Sequence, residues 1–303
     1  MSIEETLTKL SNSDLSDSDL SKLSGLDTEQ LTLFEQAWDK TETEQRRRII
    51  GQLVKLADKN VQLNFNVIFK NRLIDPDAEV RRQAIEGLWE CEEHSLIPSL
   101  IDLLENDISE LVQAEAAAAL GRFAMLAEHG KLNKNTANDL CLVLLSTISD
   151  ESNPVTLRCC ALEAVAPLSL PGVNAAISEN YYCADDRLNL SSICAMGISC
   201  DPSWLPTLLE ELTNSDAERR RVAAAALGEL EEEDAVSQLV ELVYDNDIDV
   251  QIAAIRALGE IGGAEARECL ELCMDDDEEA IRLAAEEAFD KASGKEGLQS
   301  FSI

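Results

Sequence analysis

The sequence predicts an all-α protein built as a solenoid of about eight stacked helix pairs. Three observations carry that prediction. One segment recurs along the chain, as DPDAEVRRQAIEGLWE from Asp75, NSDAERRRVAAAALGEL from Asn214 and DNDIDVQIAAIRALGEIG from Asp245. The stretches between copies are Leu-rich with helical spacing. Aromatic residues are scarce, with 3 Trp, 3 Tyr and 6 Phe among 303 residues, so the 45% of hydrophobic residues must build the core mainly from Leu, Ala, Ile and Val.

Each copy has an acidic turn, a hinge position, a polar or basic residue, an Ala-rich stretch and a Leu-like anchor eight residues after the hinge. The anchors are Leu53, Leu88, Leu120, Val165, Ile198, Leu227, Leu258 and Phe289, whose numbers differ successively by 35, 32, 45, 33, 29, 31 and 31. Self-similarity at such a period marks a repeat architecture. The first helix of each unit is Leu-rich, as in LIPSLIDLLE at 96–105 and WLPTLLEELT at 204–213, and the second is Ala-rich. Short acidic turns such as Asp75-Pro76-Asp77 and Asn214-Ser215-Asp216 separate the two and suit the N-terminus of the second helix. A lone pair cannot bury both its faces, so stacking on neighbours must supply the stability. The long interval from Leu120 to Val165 predicts an insertion near 129–138.

The turn-plus-helix pattern resembles the HEAT-like repeats, in particular the short phycobilisome-lyase type. It stands here as Asp75, Asp77, Val80, Arg81, Ala84, Gly87 and Leu88, and again as Asp245, Asp247, Val250, Gln251, Ala254, Ala257, Leu258 and Gly259. The pattern weakens at 150–200, where LRCCALEAVAPL and LSSICAMGIS keep the period but lose the Gly after the anchor. The resemblance covers about residues 28–292 and implies a right-handed α-solenoid of HEAT-like helix pairs. It also implies a ladder in which the Arg after the hinge reaches an Asp of the adjacent turn, a slot held here by Arg46, Arg81, Arg158, Arg220 and Arg282 but not by Gln113, Ser191 or Gln251. Residues 1–27 fall outside the repeat and read as a cap helix or an acidic tail, and 293–303 read as a terminal tail.

Composition narrows the function. The net charge of −34 argues against nucleic acid and anionic membrane as partners, since both are met by clustered Lys and Arg. The N-terminus lacks the basic-then-apolar pattern of a signal peptide. The nine cysteines contain no C-x-x-C and lie among Ala and Leu, which predicts reduced thiols in a cytoplasmic protein. His94 and His129 are the two histidines. Neither stands in a His-Glu dipeptide, the pair through which the HEAT-repeat enzyme deoxyhypusine hydroxylase holds iron. Cys159, Cys160, Cys183, Cys194 and Cys200 match no ordinary zinc spacing, and no phosphate-binding or nucleophile-elbow motif is present. The expectation is a non-catalytic protein-binding scaffold or adaptor without cofactor or metal. The alternative implied by the resemblance is a phycobilin lyase or isomerase subunit of the E/F type.

In HEAT-like arrays the second helices line the concave face. Taking the hinge as zero, positions +2, +3, +6 and +10 should point away from the packed stripe. They read basic at the N-terminal end, with Arg47, Arg48 and Arg82, and apolar in units four and five. The expected partner-binding residues are Arg47, Arg48 and Arg82 at the basic end and Ile193, Met196 and Cys200 in the apolar middle, the last three on one accessible helix face. Acidity concentrates towards the C-terminus, where residues 201–303 carry 27 acids and 8 bases.

Overall fold

The structure, a computed structural model, describes residues 3–10 and 15–299. The described residues form 18 α-helices and no strand, and no helix among them is long and apolar enough to cross a membrane. The chain divides into two compact units, Met1–Leu126 and Ala127–Ile303.

The first unit opens with α1 (Ile3–Lys9) and α2 (Asp17–Leu20). Three helix pairs follow: α3 (Thr28–Trp38) with α4 (Thr43–Lys59), α5 (Asn66–Arg72) with α6 (Ala78–Glu86), and α7 (Ile97–Asn106) with α8 (Glu110–Glu128). Leu20 and Leu23 are fully buried and Leu15 and Leu26 nearly so, because α1 packs on α3 and α2 on α4. The N-terminal leucines thus cover the first pair; residues 11–14 lie outside the described residues. Rings fill this core. Phe34, Trp38, Phe65, Phe69 and Phe123 are all buried, with Phe34 on Trp38 at 5.3 Å and Phe65 edge-on to Phe69 at 6.2 Å.

The second unit holds five pairs: α9 (Lys134–Ser149) with α10 (Val155–Val165), α11 (Val173–Tyr181) with α12 (Asp186–Ile198), α13 (Leu205–Glu211) with α14 (Ala217–Leu230), α15 (Val236–Leu242) with α16 (Ile248–Ile261), and α17 (Ala264–Cys273) with α18 (Glu279–Gln299). The expected insertion at 129–138 is instead a short turn followed by the start of α9. The extra length of that interval resides in the helices, α8 having 19 residues and α9 16. Of the expected terminal tail, 293–299 continue α18 and 300–303 lie outside the described residues.

The acidic turns work as their chemistry dictates. The side chains of Asp75, Asp107, Asp150, Asn214, Asp245 and Asp276 each accept the N–H two residues on, folding the turn. Asp77 and Asp247 then cap the second helices, accepting from Val80 at 3.2 Å and from Asp249 and Val250 at 3.0 and 3.3 Å. Arg81 spans two turns, with Nη1 on the Asp75 carbonyl at 2.7 Å and a bidentate grip on Asp107 at 2.7 Å. Arg220 does the same with Asn214 and Asp245, each bond 2.8 Å. Arg46 reaches Asp75, which also accepts from Trp38 Nε1 at 2.7 Å, so this buried carboxylate is fully engaged. Arg158 donates instead to the carbonyl of Ile148 at the end of α9, and Arg282 to the turn carbonyls of Asp276 and Asp277.

Packing of the second helices corrects the register of the fifth pair. Cβ atoms built on Gly197, Gly228 and Gly259 would lie 2.6, 3.0 and 2.7 Å from the Cα atoms of Ala226, Ala257 and Ala288. The three glycines are therefore equivalent, and the anchor before Gly197 is Met196, not Ile198. The anchors then run Val165, Met196, Leu227, Leu258 and Phe289, all at one constant step along the sequence. Asn189, not Ser191, holds the Arg slot, and it donates to the Cys183 carbonyl at 3.1 Å, as Gln251 donates to that of Asp245 at 2.6 Å.

Candidate partner-binding face

In the second unit the constant step aligns three rows of side chains across α10, α12, α14, α16 and α18. The +2 row is Cys159, Leu190, Arg221, Ile252 and Leu283. The +6 row is Glu163, Cys194, Ala225, Arg256 and Glu287. The +10 row is Pro167, Ile198, Glu229, Glu260 and Lys291. All except Pro167 reach solvent at least in part. On α14, α16 and α18 the +3 residues do not face outward as expected: Val222, Ala253 and Ala284 are 6%, 9% and 4% exposed, on the packed side of these helices.

The corrected register overturns the expected accessible stripe. Ile193 and Met196 are both 0% exposed, since they occupy the packed face of α12. Cys200 is exposed but lies beyond the helix, at φ 48° in the turn after it, so it shares no helix face with them. The side chains α12 does present are Leu190, Cys194 and Ile198. Gly197, set against Gly228 and Gly259 at equal spacing, is the sequence signal that identifies this register.

The expected basic end in the first unit is a mosaic of ion pairs. Arg47 grips Asp77 at 2.9 and 2.6 Å and Glu44 at 2.9 Å, and this guanidinium holds the Asp77 carboxyl below its ordinary range. Arg82 chelates Glu79 at 3.1 and 2.9 Å and meets Glu86 at 3.3 Å and Glu115 at 3.5 Å. Burial nevertheless pushes the Glu115 carboxyl upward. Arg48 is exposed on α4.

Around α10 and α12 the face is polar beneath its thiols. Ser191 donates to Glu163 at 2.8 Å and reaches the Cys159 carbonyl at 3.1 Å. Burial raises the Glu163 carboxyl, the Ser191 bond opposing it. Burial likewise raises Cys159 and pushes Cys194 to about 12, so both thiols stay protonated and poorly nucleophilic at neutral pH. His94 and His129 are both exposed. Among the described residues no three His, Cys, Asp or Glu side chains converge as metal ligands.

Further along, the face opens into a cleft of about 500 Å³ between α14 and α16. Its lining includes Arg221, Ala225, Glu229, Ile252, Arg256 and Glu260. The close Gly228–Ala257 approach sets its floor. Arg221 is fixed by Glu218 at 2.9 and 2.6 Å, and Lys291 of α18 pairs with Glu260.

A cluster that the repeat pattern does not disclose locks the fifth pair to the sixth. Glu211 is 4% exposed and accepts from Tyr181 Oη at 2.5 Å, from Arg219 at 2.9 and 2.5 Å and from Asn214 at 2.9 Å. Burial alone would raise its carboxyl, but these donors hold it low. Tyr181 is pushed up to about 12 by burial and by that carboxylate.

A family model described as HEAT repeats matches residues 68–133 and 205–290. No curated protein matches the sequence. Among solved structures, the chain is similar to the complex of CpcE and CpcF of phycocyanin lyase from Nostoc sp. PCC7120, at 16% identity and a TM-score of 0.54, covering 93% of this chain and 96% of that one. It is also similar to human deoxyhypusine hydroxylase, at 18% identity and a TM-score of 0.32, covering 96% of each chain. An engineered protein matches at 18% identity and a TM-score of 0.42, over 96% of this chain and 88% of the other. At 16% identity the likeness to the lyase complex is one of fold.

Proposed function

The chain belongs to the HEAT-repeat family, whose model spans half of it, and on that premise we propose that it is a non-catalytic protein-binding scaffold or adaptor. One observation supports this above the others: the repeated outward rows of α14, α16 and α18. Along each of these helices the three row positions combine an aliphatic or small side chain with charges of both signs, and the cleft between α14 and α16 sits among them. Ile252 and Leu283 supply apolar contact, Leu283 being 53% exposed. Arg256, Glu229 and Glu260 supply orientation, because pairing of opposite charges fixes register more than it adds affinity. The partner is a protein segment lying across successive second helices.

The test is affinity capture from native cell extract with the wild-type chain and with Ile252→Glu/Arg256→Glu. A partner retained by the first and lost by the second, at unchanged melting temperature, supports the reading. Identical recoveries would remove it. The E/F-type lyase alternative rests on fold likeness alone. It requires chromophore transfer or a spectral shift when the purified protein meets a bilin and its apoprotein.

A further inference from the structure

We propose that the first unit carries a separate pocket for a cationic side chain, a lysine or arginine of a protein partner, between the α4–α5 loop and the C-terminal end of α6. The cavity measures about 200 Å³ and is lined by Val61, Phe65, Trp89, Asp58, Glu86 and Glu90 among others. Two of these are large apolar groups left in water, Val61 at 83% and Trp89 at 66% exposure. An indole so exposed gains little from the core of its unit, yet it is placed to cover the stem of a long side chain and to meet its charge.

The pocket is built rather than incidental. Its loop is folded by Asn60 and Asn64, which accept the N–H groups of Gln62 and Asn66 at 3.0 Å. The N-terminal segment pins it in place. Gly25 N–H donates to the Asn64 carbonyl at 2.7 Å, and Asn64 N–H donates to Ser24 Oγ at 2.9 Å. Gly87 permits the facing wall, because a Cβ there would lie 2.5 Å from the Phe69 ring. That close approach brings the end of α6 against the Phe65–Phe69 pair and carries Trp89 to the rim.

Charge selects a cation. Three carboxylates line the cavity. Glu86 is shared with Arg82 at 3.3 Å, so Asp58 and Glu90, both exposed, supply most of the pull. Arg122 stands beside the indole, 6.0 Å from its centroid, but it is not part of the lining. It is held by the Leu88 carbonyl at 2.8 Å and the Phe123 ring at 4.9 Å. An aliphatic wall, an aromatic face and carboxylates at the mouth match an alkyl stem ending in an ammonium or guanidinium group.

The experiment is binding of dye-labelled pentalysine at low salt to the full chain, read by fluorescence anisotropy, with melting temperatures checked for each variant. Trp89→Ala and Asp58→Asn/Glu90→Gln should each weaken binding by about five- to tenfold, the range of one cation–aromatic contact or one charge pair. Glu232→Gln/Glu233→Gln, in the second unit, should leave it within about twofold if the contact is local. Equal losses at both places, unchanged binding by Trp89→Ala, or no pentalysine binding would each overturn the pocket, the first by revealing only a general attraction to an acidic protein. None of these outcomes bears on the α14–α16 cleft.

Discussion

The two units stack their helix pairs by different means. In the first, the space between helices is filled by rings, and the turns are tied by Arg46, Arg81 and the buried Asp75. Pair spacing there is uneven, the step from Leu53 to Leu88 being longer than that from Leu88 to Leu120. In the second, Gly197, Gly228 and Gly259 let one helix lie directly on the backbone of the next, and the spacing is constant. The contrast has a physical root. A large flexible side chain absorbs small differences in helix length and rotation. A glycine-on-alanine contact has no such slack, because the touching atoms are main chain.

The largest test of this contrast is Met196→Glu. Met196 is packed in the tight unit with 0% exposure, so a carboxylate there is buried without a partner and should lower stability by at least about 4 kcal/mol. A melting curve within a few degrees of wild type would show that α12 is not stacked as described.

Next come two glycines with opposite expected signs. Gly259→Val places atoms where Ala288 Cα is already 2.7 Å from a modest Cβ, and overpacking of this kind costs about 1–3 kcal/mol. Gly51, within α4, faces only the end of the Gln83 side chain at 3.2 Å. Gly51→Ala should therefore stabilise by up to about 1 kcal/mol through helix propensity. Denaturant midpoints for both variants decide the matter, and like signs would erase the distinction between the units.

Arg220→Gln copies the side chain that nature uses at 251. It keeps a donor for the Asn214 carbonyl and gives up the grip on Asp245. A loss of about 1 kcal/mol is expected from this part-exposed pair; none would mean the ladder only orients the turns.

The smallest effect depends on pH. Burial raises the folded-state carboxyl of Glu163 above its ordinary 4.5, so the folded chain binds the proton more tightly than the unfolded one. Stability from this group is present below about pH 4.5 and falls as pH climbs through the raised value. Glu163→Gln removes the ionisation and can still accept from Ser191. Its melting temperature should exceed that of wild type at pH 7, and the gap should shrink towards pH 4.5.

The pairs and their number were legible because helical periodicity, acidic turns and recurring anchors all act locally. Register within α12 was not, since a two-residue shift leaves the pattern of small and apolar residues almost unchanged there. The spacing of Gly197 from Gly228 and Gly259 is the one sequence cue that discriminates, and the contact of Gly197 with Ala226 gives that cue its meaning. The neutralised arginines were hidden for a similar reason. Nothing in the sequence separation of Arg47 and Asp77 announces that they meet. Tyr181 and Glu211 lie off the repeating positions, Arg219 stands at the hinge where Leu157, Leu188, Val250 and Ile281 are aliphatic, and the three converge only through stacking.

The constant step in the second unit also bears on how such a chain can grow. The glycine interfaces that join α12, α14, α16 and α18 pair residues at the same offsets, so an added block as long as that step would present to each neighbour a surface close to the one it already contacts. A block of any other length would rotate the helices beyond it, sending aliphatic anchors to water and row residues into the stack. The glycine contacts therefore act as a tooth spacing. They admit lengthening or shortening of the array by whole rungs, and they oppose every intermediate length.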